Sequence, residues 1–150
     1  MNARHRAREV ALQILYRYDV ALQAKQTIPP MGAALARDLE YHFSHFVVPE
    51  ALREFAALLV VGTLAQMTEL DSLLEHHASN WKISRMGLVD RNLLRMAAYE
   101  LLQVPETPPT VVIDEAIELG KQFGTSDTPG FVNGILDAIR GSLPSKAAGG

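Results

Sequence analysis

Apolar residues recur three and four positions apart along most of the chain, and no stretch sustains the alternation of a half-buried strand. That period predicts seven helices. The first spans about Ala3 to Leu22; after a Gln/Thr/Pro/Gly loop (Gln23 to Gly32), the second runs from Ala33 to Phe46. Pro49 suits the first turn of the third, which reaches about Gln66. A fourth, Glu69 to Ser79, is followed by a connector holding Trp81 and Gly87. The fifth, LVDRNLLRMAAYELL (Leu88 to Leu102), is stopped by VPETPP. Pro108 and Pro109 introduce the sixth, which ends at Gly124 in the manner of a glycine C-cap. Asp127 or Thr128 caps the last, PGFVNGILDAIRGSL, in which Gly134 suggests the close approach of another backbone. No repeat is evident. The expectation is one all-α, bundle-like domain over residues 1–143 with a flexible tail at 144–150.

At about 100° per residue, the first helix divides into two faces. Ala7, Val10, Ala11, Ile14, Leu15, Tyr18 and Leu22 form a core stripe, while His5, Arg6, Glu9, Gln13, Tyr16 and Arg17 lie on the other side. Tyr16 therefore sits off the stripe among cations and an amide. Such a face suits single-stranded RNA: arginines neutralise phosphates, a ring stacks a base, and Gln13 bonds a base edge. Equally, Tyr16 could pack against another helix, since tyrosine is commonly half-buried.

Charge sharpens that reading. The 150 residues carry a formal net charge of −3, yet residues 1–18 hold four arginines (Arg4, Arg6, Arg8, Arg17) against one acid. Screening limits the reach of the acidic remainder to about 8–10 Å, so a basic end can bind a polyanion locally. Four phosphate contacts on a single strand imply a salt slope of about −3. With 48% hydrophobic and 21% charged residues the composition is that of a globular protein. The absence of cysteine excludes disulfides and thiolate chemistry and suits a cytoplasmic location. The run Ala56 to Met67 is too short to span a bilayer, and Glu9 and Asp19 interrupt any resemblance to a targeting peptide.

Four blocks in order, RARE....LQ.LY (Arg6 to Tyr16), LLRMAAYEL (Leu93 to Leu101), VVIDEAIELGKQFG (Val111 to Gly124) and FVNGILD (Phe131 to Asp137), resemble the NusB family of bacterial transcription antitermination factors. The resemblance covers nearly the whole chain, with the loop around Gln23 to Gly32 least alike. It implies an all-helical fold of two closely packed subdomains, no catalysis and no cofactor. It also implies binding of the boxA element of nascent ribosomal RNA leaders together with the ribosomal protein NusE, within the antitermination complex on RNA polymerase. Carried over by motif, the RNA contacts are Arg4, Arg6, Arg8, Gln13 and Tyr16, with Asp127 and Phe131 near the RNA path. Arg17 joins them from the angular reading, and Asp90 is the candidate contact for the ribosomal protein. Some family members self-associate, so a homodimer is possible here.

The chain departs from the family pattern at three places. His5 interrupts a usually denser basic run, Gly130 stands where a basic residue is common, and Gly120 replaces a usual alanine. That last change costs about 0.8–1.0 kcal/mol of helix propensity. Read without the resemblance, Phe131 is a core residue and Asp90 and Asp127 are favourable charges at helix starts.

Other chemistry lacks support. His42 and His45 share a face but no third ligand is evident, adjacent His76 and His77 diverge by about 100°, and no HExxH occurs. Asp114, Glu115 and Glu118 form a solvated or capping cluster on the sixth helix, and no nucleophile elbow or phosphate loop is present. The leading expectation is an RNA-binding antitermination factor. The alternative is a helical scaffold that docks the ribosomal protein with negligible RNA affinity alone. A relative of the NusB-like domain that precedes RNA methyltransferase domains is a third, though no glycine-rich βαβ unit for S-adenosylmethionine follows.

Overall fold

A computed structural model describes residues 3–25, 27–79 and 81–143. The helices are α1 (Ala3–Lys25), α2 (Gly32–His45), α3 (Glu50–Ala65), α4 (Met67–His77), α5 (Leu88–Gln103), α6 (Pro109–Phe123) and α7 (Thr128–Ser142). One 3-10 turn, Ile83–Arg85, lies between α4 and α5, and among the described residues there are no strands. The fold is all-α, as the periodicity predicts. The tail at 144–150 lies outside the described residues.

Helix ends follow local chemistry. Pro109 opens α6 at its first position, where its missing N–H costs nothing, and the Pro108 carbonyl accepts from Val112 N at 3.1 Å. Pro49 sits one step earlier than expected, as the residue before α3 rather than inside it. Gln66 serves two helices: its N–H closes α3 on the Gly62 carbonyl, and its own carbonyl accepts from Leu70 to open α4. The chain bends by 78° there, so α4 starts two residues before the expected Glu69. Gly124 does end α6, but with φ −96° rather than in the left-handed region. Glycine is needed for space: a Cβ there would collide with the Thr128 side chain. Gly134, by contrast, faces open space, with no other backbone approaching it among the described residues.

The centre of the molecule is α5. Helices α1, α3, α4, α6 and α7 all pack against it, and every side chain from Arg91 to Ala98 is buried. Leu93, Leu94 and Met96 join Leu59, Leu74, Leu119, Leu136 and Ile139 in one continuous apolar cluster. Full burial of each such side chain is worth about 1.5–3 kcal/mol. Gly62 of α3 leaves room for the Tyr99 ring of α5, which a Cβ would penetrate.

Charged groups are buried along the α1/α5 contact. Asp19 receives two hydrogen bonds from Arg91 (2.7 and 2.6 Å) and one from Asn92 (2.8 Å). Arg95 pairs with Asp71 of α4 at 2.7 and 3.0 Å and reaches Asp19 at 3.4 Å. Three turns towards the other end, Arg8 donates to Glu100 at 2.9 and 2.6 Å and to Glu115 of α6 at 3.0 Å. The pairs Arg8–Glu100 and Asp19–Arg91 run in opposite chain directions, so α1 and α5 are antiparallel. Their charges are complementary in only that orientation.

Candidate nucleic-acid interface

The two long faces of α1 have different neighbours. Ala7, Ala11, Leu12, Ile14 and Leu15 are buried against α3 and α5. Val10, Tyr18 and Leu22, also expected on the core stripe, are half-buried. Gln13, Tyr16 and Arg17 are exposed, and with Arg6 they line an open cleft of about 780 Å³. Phe46 and Val47 at the α2–α3 corner and Phe123 at the end of α6 contribute to its apolar lining, and Glu9 lies at its edge. Tyr16 is 36% exposed, with its ring available at the cleft rather than enclosed.

Arg17 is held in place by two contacts. Its Nη1 lies 2.8 Å from His42 Nδ1, and its guanidinium lies 5.2 Å from the centre of the Phe46 ring. Arginine has no acceptor, so the imidazole nitrogen accepts. Burial and the adjacent Arg17 charge hold the His42 imidazole below its ordinary range, which favours that neutral form. Phe46 is followed by Val47 in the left-handed region at φ 51°. A β-branched residue is rarely found there, and such strain costs about 1–3 kcal/mol. The strained corner carries the 80% exposed Val47 side chain at the cleft wall.

The four arginines of the basic end do not act together. Arg6 and Arg17 face the cleft, and Arg4 lies exposed with its guanidinium 3.9 Å from the Phe55 ring centre. Arg8 is a correction to the expected set: it is 4% exposed and its charge is matched by Glu100 and Glu115. Glu115 is correspondingly not a solvated acid but an internal partner, which also accepts from His5 Nδ1 at 2.8 Å. His5 Nε2 lies 3.1 Å from Glu9, so the interruption in the basic run is tied to acids on both sides.

Asp127 and Phe131 stand apart from this cleft. Phe131 packs on the core and meets Trp81 edge-on, with ring centres 5.9 Å apart. Asp127 precedes α7 but its side chain makes no capping bond. Instead the buried Thr128 hydroxyl accepts from Thr125 N at 3.0 Å and donates to Asp90 at 2.7 Å. Half-buried Asp90 therefore ties the start of α5 to the start of α7.

Among the described residues no three His, Asp or Glu side chains converge as a metal site requires. No single described helix is long and apolar enough to cross a membrane. The contribution of Tyr41, His42, His45 and Phe46 is absent from the sequence expectations, which consider only His42 and His45, and those as metal ligands. Their spacing of one, three and four along a helix was the available signal for a shared aromatic face.

Fold and cleft together define a class: an all-α protein presenting cations, an amide and aromatic rings along one open helix face. The chain belongs to the NusB family, whose sequence profile matches residues 5–140. It is 42% identical over 140 residues to the transcription antitermination protein NusB of Desulforapulum autotrophicum, covering 93% of this chain and 92% of that one. Among solved structures it resembles T. maritima NusB with a TM-score of 0.80 and 31% identity, over 96% of this chain and 94% of the other. It also resembles a chain in the crystal structure of antitermination factors NusB and NusE in complex with dsRNA. There the TM-score is 0.76 and the identity 29%, over 95% and 99% of the two chains.

Proposed function

We propose that this protein is a transcription antitermination factor that binds single-stranded boxA-type RNA jointly with the ribosomal protein NusE, as part of the RNA polymerase antitermination complex. It acts by binding, without catalysis, and in the cytoplasm. The names of its relatives support the role, and the structure of a relative with NusE and RNA supports the pair of partners. The observation that carries the reading is the placement of Arg6, Gln13, Tyr16 and Arg17 along one open cleft. Those groups supply phosphate neutralisation, base-edge bonding and base stacking on a single helix face. Arg4 adds charge at the helix start, while Arg8 supports the face from beneath. Phe131 and Asp127 serve a more distant part of the RNA path. Asp90 acts on the ribosomal-protein side by fixing the α5/α7 junction.

The test is RNA binding in the presence of the ribosomal protein, comparing a boxA-like with a scrambled sequence of equal length. Tighter binding of the boxA-like RNA is expected. Equal affinity for both would overturn the specific role, and binding of the ribosomal protein with no RNA affinity would leave only a scaffold.

A further inference from the structure

The α1 cleft continues past Arg17. Arg17, His42 and Phe46 also line a second groove of about 380 Å³, which runs on to Tyr41, His45 and Ile28. Its aromatic wall is a chain of contacts on α2 and the residue after it. The Phe46 ring lies 4.5 Å from His42 and 4.8 Å from His45, and His45 stacks on Tyr41 at 5.6 Å with 11° between the planes. Phe46 is 54% and Tyr41 67% exposed, so both rings present a face to solvent. Among the groove's lining residues the one carboxylate, Asp38, is occupied by the Tyr18 hydroxyl.

The geometry points to this α2 belt as a second set of stacking platforms, taking nucleotides that flank the segment held by Arg6, Gln13, Tyr16 and Arg17 in the same RNA strand. The inference rests on the RNA-binding reading above and extends its footprint. Three features favour RNA as the occupant. The belt is continuous with the α1 cleft through three shared residues. Its entrance carries a cation over a ring rather than the charge-depleted centre of a protein interface. Its rings already brace one another, so little side-chain freedom is lost on stacking, and stacking accepts any base.

The experiment uses the full chain with the ribosomal protein and two series of single-stranded RNA. One is a boxA-like core; the other is the same core extended by uniform flanking nucleotides at either end in turn. Extension at one end is expected to tighten binding by about fivefold or more, the gain from one stacked base. Tyr41→Ala should remove that gain while leaving the core RNA affinity unchanged, and Tyr41→Phe should retain it. Tyr16→Ala should weaken both RNAs. If Tyr41→Ala preserves the gain, or weakens both RNAs by the same factor, the proposal is overturned although the RNA reading stands. The same holds if Tyr41→Ala weakens retention of the ribosomal protein without RNA. Failure of the unsubstituted chain to bind the core RNA would overturn the underlying reading as well.

Discussion

Arg8 and Glu100 lie 92 residues apart in sequence and are joined by hydrogen bonds of 2.9 and 2.6 Å, their side chains 4% and 1% exposed. An arginine that reads as part of a basic end is thus an internal strut between α1 and α5. Arg8→Ala leaves Glu100 buried without its main partner, which costs about 3–5 kcal/mol. Arg6→Ala, on the cleft, should change stability by no more than about 0.5 kcal/mol while weakening RNA binding. Urea unfolding of the two variants separates these roles; equal midpoints would refute the distinction.

Removing Arg8 from the RNA set also changes the salt response. Arg4, Arg6 and Arg17 remain to neutralise phosphates, giving a slope of log affinity on log salt of about −2 instead of −3. RNA titrations at several salt concentrations measure it directly. A slope of about −3 or steeper would mean that Arg8 or a further cation contributes after all.

Tyr16→Ala should weaken RNA binding by about 1–3 kcal/mol with little change in thermal stability, because its ring is at the cleft and not in the core. Phe131→Ala should do the reverse in part. It removes a ring packed on the core and against Trp81, so a lower melting temperature is expected whatever happens to RNA affinity.

Asp19 makes stability depend on acid. Burial alone would raise its carboxyl, but hydrogen bonds from Arg91 and Asn92 and the charges of Arg91 and Arg95 outweigh burial and hold it below its usual value. The ionised form is therefore the one the fold favours. Its contribution is complete above the ordinary aspartate value of about 3.9 and disappears as pH falls through the lower folded value. Denaturant midpoints should be flat from neutral pH down to that range and then drop. Asp19→Asn should be less stable at neutral pH and show a shallower acid limb. A stability that rises on acidification would contradict the assignment.

Val47 offers a test of the strained corner. Val47→Gly removes the left-handed penalty of a β-branched residue, about 1–2 kcal/mol, against an entropy cost of about 0.5–1 kcal/mol. A small net gain in melting temperature is expected. An unchanged or lower value would show that Val47 packing compensates for its backbone.

Periodicity locates all seven helices to within three residues of their observed ends, because each buries a continuous apolar stripe. Arg8 is misplaced by the motif carry-over and not by periodicity. Arg8, Leu12, Leu15 and Asp19 fall on one stripe at steps of four, three and four, and all are buried. A charged residue on such a stripe looks exposed until the helix carrying its counter-charge is known, and α5 begins 80 residues after Arg8. Gln13, Tyr16 and Arg17 were legible because their own helix determines their direction. The α2 wall of the cleft was not, since its place beside α1 is set by tertiary packing. Gly134 shows the opposite failure: a glycine that implied contact and has none among the described residues.

The antiparallel lock between α1 and α5 has a consequence for the timing of synthesis. Helix α1 is made before α5, yet its buried charges Arg8 and Asp19 find their α5 partners at residues 91 to 100, and Arg8 a further one at Glu115. Until then Arg8 and Asp19 have no counter-ions from α5, and the apolar side of α1 lacks its main support. The cleft therefore becomes rigid only after α5 has been made. A nascent chain that ends before α5 carries Arg6, Gln13, Tyr16 and Arg17 without the packing that fixes their geometry.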